Sequence, residues 1–156
     1  MSEKAVSTEA PELTGASRRQ LVLVVDDEQG LRDLVCRTLR AEGYRTLEAA
    51  HGGEALEMVE SGPESIDLVV TDVVMPGMDG RELGRRLARS RPTLPILYMS
   101  AYEVNDIFQR GSPWTSAPFL QKPFPRDGLI NSVEQLLRQG PAARLPDSLQ
   151  RHRNKA

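Results

Sequence analysis

Leu68-Val69-Val70-Thr71-Asp72-Val73-Val74-Met75-Pro76-Gly77-Met78-Asp79-Gly80 is the stretch on which the fold turns. An apolar run ends abruptly in an acid, Asp72. A Met-Pro-Gly turn follows, and Asp79-Gly80 opens a helix-like segment. A continuous apolar run of this length, bounded by turn residues, predicts a strand buried on both faces. Asp72 then stands at the edge of a sheet, with its carboxylate directed out of the core.

Similar runs recur on either side. Leu21-Val22-Leu23-Val24-Val25 is continuously apolar and ends in Asp26-Asp27. Leu31, Leu34, Val35 and Leu39 follow at helical spacing, and Gly43 stops them. Tyr44 to Ala50 predicts a weaker strand. His51-Gly52-Gly53 is a turn, and Ala55, Leu56 and Val59 mark a short helix ended by Gly62-Pro63. After the central strand (Ile66 to Thr71, then Asp72), Asp79 and Glu82 form a capping-box pattern. Leu83 and Leu87 face inward in that helix, which ends before Pro92. Pro95 to Ser100 predicts a fourth strand. Val104, Ile107 and Phe108 predict a fourth helix. Ala117 to Lys122 predicts a short fifth strand, and Leu129, Ile130, Val133, Leu136 and Leu137 a fifth, amphipathic helix. Strand and helix alternate five times, which implies parallel βαβ units. Right-handed crossovers with a reversal of winding give a doubly wound α/β sheet with helices on both faces.

The rest of the chain narrows the function. Its 156 residues suffice for one domain with a core. Residues 1–19 are polar and aperiodic and are expected to be a disordered tail. Residues 140–156 are expected to be a flexible basic tail, leaving a domain over 20–139. A net charge of -2 gives no case for direct DNA or membrane binding. No apolar run approaches the roughly 20 residues of a membrane span, and residues 1–16 lack the order of a signal peptide. A cytoplasmic location is the expectation. The single cysteine, Cys36, excludes an internal disulfide and falls on the apolar side of its helix, so a buried, inert thiol is expected. His51 and His152 fall in a turn and a tail and carry no evident chemistry.

The chemistry collects at the strand ends. Ligands bind beyond the carboxyl ends of parallel strands, where the winding reverses. Here the first strand ends in Asp26-Asp27, the third in Asp72, the fourth in Ser100 and the fifth in Lys122. Three carboxylates brought together repel one another and need a counter-cation. Mg²⁺ prefers oxygen ligands and is commonly held by one or two carboxylates plus a phosphate. Asp26, Asp27 and Asp72 suit it, and the backbone carbonyl of Val74 could complete the protein ligands. Lys122 supplies a point charge for a phosphoryl oxygen, and the Ser100 hydroxyl a hydrogen bond. A carboxylate nucleophile, a metal, a lysine and a hydroxyl are the parts needed to form an aspartyl phosphate.

Val25-Asp26-Asp27-Glu28, Thr71 to Gly80, Tyr98-Met99-Ser100-Ala101 and Gln121-Lys122-Pro123-Phe124 together resemble the response-regulator receiver domain of two-component and phosphorelay signalling. The resemblance covers about residues 20–139. It implies a CheY-like, flavodoxin-like (βα)5 three-layer sandwich with strand order 2-1-3-4-5. It implies that Asp72 accepts phosphate from a histidine kinase or a histidine phosphotransfer protein, with Mg²⁺ on Asp26, Asp27 and Asp72. Lys122 would contact the phosphoryl group, and the Lys122–Pro123 bond would be cis. Ser100 takes the switch hydroxyl position and Phe119 the aromatic switch position. The face made by the fourth helix, fifth strand and fifth helix would repack and signal to a downstream protein, and could also form a homodimer. Val74 and Tyr102 would flank the phosphoryl group. Because Val74 cannot hydrogen-bond an attacking water, a long-lived phosphoryl group is expected.

Other readings stay open at this point. Phe119 in a strand is also what a plain core residue looks like. Phe108, Trp114 and Tyr102 could anchor a partner or simply pack locally. About 17 residues follow the last helix, too few for a helix-turn-helix output domain, which favours a stand-alone regulator or phosphorelay intermediate. The wording around Ser100 and Lys122 also resembles receivers of hybrid sensor kinases. A haloacid-dehalogenase-type Mg²⁺ phosphatase shares the Asp, Mg²⁺ and Lys, but needs a second acid where Val74 stands. A receiver-like module that never takes phosphate is the third alternative.

Overall fold

The computed structural model describes residues 19–101 and 117–139. Five strands form one sheet: β1 (Leu21–Val25), β2 (Arg45–Ala49), β3 (Leu68–Asp72), β4 (Ile96–Ser100) and β5 (Phe119–Gln121). Their order is β2-β1-β3-β4-β5, and every neighbouring pair is parallel. The described helices are α1 (Gln29–Ala41), α2 (Gly52–Ser61), α3 (Gly80–Ser90) and α4 (Arg126–Gln139). The doubly wound sheet and its order agree with the sequence reading. The fourth helix of that reading, with Tyr102, Phe108 and Trp114, lies outside the described residues, as do residues 1–18 and 140–156. The final helix of the reading is therefore α4 here. Among the described residues, no helix is long and apolar enough to cross a membrane.

The strands are apolar on both sides because both sides are covered. Successive strand residues point to opposite faces. Leu23, Val25, Val69, Ile96 and Tyr98 pack in one cluster with Ala55, Val59, Leu83 and Leu87 of α2 and α3. Val22, Val24, Leu68, Val70, Leu97 and Met99 pack in the other with Val35, Cys36 and Leu39 of α1 and Leu129, Ile130 and Val133 of α4. Cys36 is fully buried, and burial together with the nearby Glu48 carboxylate pushes its thiol pKa up, in keeping with an inert side chain.

Three details depart from the sequence reading. Leu34, expected on the inward stripe of α1, is 51% exposed. It lies 100° round the helix from Val35, and the stripe is set by Leu31, Val35, Cys36 and Leu39. Asp79 does cap α3, accepting from the Glu82 N–H at 3.0 Å. Glu82, however, does not close the reciprocal half of a capping box. Its carboxylate takes Arg85 at 2.6 Å and Arg86 at 2.8 Å instead, and these partners hold its pKa below the ordinary value. His51 is the N-cap of α2, its Nδ1 accepting from the Glu54 N–H at 3.1 Å.

Two glycines let α3 press onto the sheet. A Cβ at Gly80 would overlap the Asp72 carbonyl oxygen and lie 2.9 Å from Val73 Cα. The Gly80 N–H donates to the Val73 carbonyl at 2.8 Å, closing the loop after Asp72. A Cβ at Gly84 would overlap the Tyr98 hydroxyl and lie 3.1 Å from Tyr98 Cζ. Tyr98 is fully buried and its ring has nowhere to retreat. Gly84→Ala should therefore destabilise the fold by about 1–2 kcal/mol, because overpacking outweighs the better helix propensity of alanine. Gly30→Ala, whose Cβ would meet nothing nearer than 3.9 Å, should be neutral or stabilising. Urea unfolding of the two variants checks the opposite signs.

Candidate functional site

Parallel register places the acids at one level. Val25 pairs with Thr71, so Asp26, the next residue, comes level with Asp72. Asp72 itself pairs with Met99, and Ser100 with Gln121, so Ser100 and Lys122 follow at the same edge. One carboxylate oxygen each from Asp26, Asp27 and Asp72 lies within 4.8 Å of the others. The Lys122 ammonium stands 3.3 Å from Asp26 Oδ2 and 3.4 Å from Asp72 Oδ1. The Lys122–Pro123 peptide is cis. Four residues singled out from the sequence are thus brought together.

Asp72 differs from expectation in one respect. It is the last residue of β3 and only 7% exposed, not an acid projecting into water. The loop that follows folds back over it: Val73 and Met75 are buried, and Gly80 seats α3 on its backbone. Asp26 is fully buried, while Asp27 is exposed. Asp26 Oδ1 accepts the Glu28 N–H at 3.0 Å, its N–H donates to the Ala49 carbonyl at 3.2 Å, and its carbonyl accepts Arg32 Nη1 at 2.7 Å.

The remaining candidates are placed differently. Ser100 is buried at the end of β4, and its carbonyl accepts the Lys122 N–H at 2.8 Å. Phe119 is half-buried on β5, level with Tyr98, and packs on the α2–α3 side of the core. Two strand spacings, about 10 Å, separate its backbone from β3. Val74 is 53% exposed, directly past the acidic cluster. Sequence reasoning misses Arg32. An arginine six residues past an acid belongs to no motif, and its contact with Asp26 depends on how α1 packs.

The donor set tests the fit of a cation. Three hard oxygen donors converge, and one ammonium faces them, which leaves net negative charge when all are ionised. Such a cluster suits Mg²⁺. Burial raises the Asp72 pKa above the ordinary carboxylate value; Lys122 pulls it down, and Asp26 and Asp27 push it up again. A raised folded-state pKa means that the folded protein binds the proton more tightly than the unfolded chain. Stability is then fully present below the ordinary carboxylate pKa and falls as pH rises through the raised one. Without divalent cation, Asp72→Asn should be more stable than the parent at pH 7, and the difference should shrink as the pH is lowered toward 4. Urea unfolding in EDTA across this range measures it. A less stable Asn variant at pH 7 would mean that the Lys122 pairing outweighs burial.

Comparison with known proteins agrees with this geometry. The family model described as "Response regulator receiver domain" matches residues 22–134. The chain is 40% identical over 136 residues to the sensor kinase CckA of Brucella abortus, covering 86% of this chain but only 14% of that protein. It is 34% identical over 116 residues to sporulation initiation phosphotransferase F of Bacillus subtilis, covering 74% of this chain and 92% of that one. Among solved structures, the response regulator TrrA of Thermotoga maritima, in complex with Mg²⁺ and BeF, superposes with a TM-score of 0.66 at 32% identity. That match covers 75% of this chain and 98% of the other. With a five-stranded sheet in the order 2-1-3-4-5 and three acids meeting one lysine at its edge, the chain belongs to the response regulator receiver domain family of two-component signalling.

Proposed function

We propose that Asp72 is the phosphoacceptor of this receiver and that the chain signals through the state of that residue. The observation that carries the reading is the meeting of the Asp26, Asp27 and Asp72 carboxylates with the Lys122 ammonium. The donor is a phosphohistidine on a histidine kinase or a histidine phosphotransfer protein. A carboxylate oxygen of Asp72 attacks phosphorus, the P–O bond forms, the P–N bond breaks, and the imidazole leaves with its electron pair and takes up a proton. Mg²⁺ on Asp26, Asp27, Asp72 and the Val74 carbonyl would neutralise phosphoryl oxygens during this transfer. Asp26, buried and hydrogen-bonded, holds the Lys122 ammonium beside Asp72, where it meets the incoming negative charge. The chain is then a signalling phosphoacceptor that assists its own phosphorylation and dephosphorylation, and not a turnover enzyme.

Phosphorylation adds charge and acceptor oxygens at a buried position. Ser100 would move to donate to the phosphoryl group, and Phe119 would turn into the vacated space. The face containing β5 and α4 would then repack for a downstream protein. Residues 20–139 are the receiver unit in this reading, with polar tails on either side, working in the cytoplasm without direct DNA contact. A phosphorelay intermediate is the preferred role, supported by the similarity to sporulation initiation phosphotransferase F along most of its length. The higher identity to part of the CckA sensor kinase favours, as a second reading, a receiver that serves a hybrid kinase. The dehalogenase-type alternative lacks its second acid at Val74.

Phosphotransfer from a panel of autophosphorylated histidine kinases tests the acceptor. Label should pass to the parent chain and not to Asp72→Asn; label on the Asn variant would sink the assignment. The exposed, apolar Val74 offers no hydrogen bond to an attacking water. The purified phosphoprotein should therefore lose its label slowly in an autodephosphorylation assay, and a half-life of seconds would contradict this.

A further inference from the structure

Asp27 is the exposed member of the acidic cluster, so its place depends on the backbone that carries it. The peptide group joining Asp26 to Asp27 is planar, and fixing its carbonyl oxygen fixes where the Asp27 Cα must lie. That oxygen accepts Arg32 Nη1 at 2.7 Å. Arg32 is itself aimed from the other side: its Nε donates to Glu48 Oε1 on β2 at 3.0 Å. The Arg32 side chain is 14% exposed and that of Glu48 35%, so water competes less at the arginine than at its carboxylate partner. Glu48 is held in turn by Arg40, 3.7 Å away, one helical stretch further along α1.

We propose that Arg32 is a positioning residue for the acidic turn, holding the Asp26–Asp27 peptide so that the Asp27 carboxylate joins Asp26 and Asp72. This rests on the reading of the cluster as a Mg²⁺ site. The arrangement links three elements. Helix α1 supplies the arginine, β2 the carboxylate that aims it, and the turn after β1 the carbonyl that it holds. The Asp26 Oδ1 bond to the Glu28 N–H closes the same turn from its far side.

Charge and positioning predict opposite signs, which makes the role testable. A guanidinium near a divalent cation repels it, so by charge alone Arg32→Ala would tighten Mg²⁺ binding. If Arg32 positions the turn, the same change loosens it. Outer partners of metal ligands typically contribute about ten- to a hundredfold in affinity. Mg²⁺ titration of the purified chain, followed by amide NMR shifts, should show Arg32→Ala weakened about tenfold or more. Arg32→Lys keeps the charge but not the two-armed geometry and should weaken binding in the same direction. Glu48→Gln should also weaken it, but loses a carboxylate and so does so by charge as well; Arg32→Lys is therefore the variant that stands in if Arg32→Ala fails to fold. Unchanged or tighter Mg²⁺ binding in the folded variants overturns the proposal. Hydrogen exchange at the Glu28 amide without metal is the separate readout. It should quicken in Arg32→Ala, and unchanged protection also overturns the proposal. If the parent chain itself takes no Mg²⁺, the metal-site reading fails, while the exchange result still decides whether Arg32 holds the turn.

Discussion

One ammonium is shared by two buried carboxylates, and the arrangement of the sheet edge follows from that constraint. Lys122 stands 3.3 Å from Asp26 and 3.4 Å from Asp72, and both acids are shut away from water. Charges in such a place must be paired and hydrogen-bonded or they drive the fold apart. The structure meets the demand with backbone groups around Asp26 and with the cation at the end of β5. Burial raises the Asp72 pKa, with Lys122 pulling it down and Asp26 and Asp27 pushing it up again. A carboxylate held in such an environment gains when a divalent cation brings positive charge beside it.

Everything behind the edge serves to keep it still. Two apolar clusters clamp the sheet from both faces, so the strand ends cannot slide past one another. Helix α3 sits on the backbone of Asp72 because Gly80 has no side chain to hold it off, and Gly84 opens the space that Tyr98 fills. On the other side of Asp26, Arg32 and Glu48 tie the acidic turn to α1 and β2. A site assembled from four separate chain segments needs such ties, since a shift of one strand by one residue would turn every side chain to the wrong face.

Much of this is legible in the amino-acid sequence. The apolar runs and their terminal acids give both the strands and the site, because parallel strands necessarily carry their ends to one edge. The structure moves strand boundaries by only a residue or two. What periodicity does not assign is which residue at the margin of a stripe faces the core, as Leu34 illustrates. Nor can local pattern choose Glu82's partner, because the backbone N–H of a capping box competes with two arginines a turn away. His51 is readable in principle, since Glu54 follows it at capping-box spacing. Arg32 is not, because its contacts are made across elements.

The sequence by itself determined the alternation of strand and helix, the apolar faces, and the identity of Asp26, Asp27, Asp72 and Lys122. These follow from composition and period, which are local properties. Only the tertiary structure decided that Asp72 is buried, that one lysine serves two acids, and that Arg32 reaches the Asp26 carbonyl. Those are matters of distance between segments: Asp26 and Lys122 lie 96 residues apart along the chain, and packing alone brings them within a hydrogen bond.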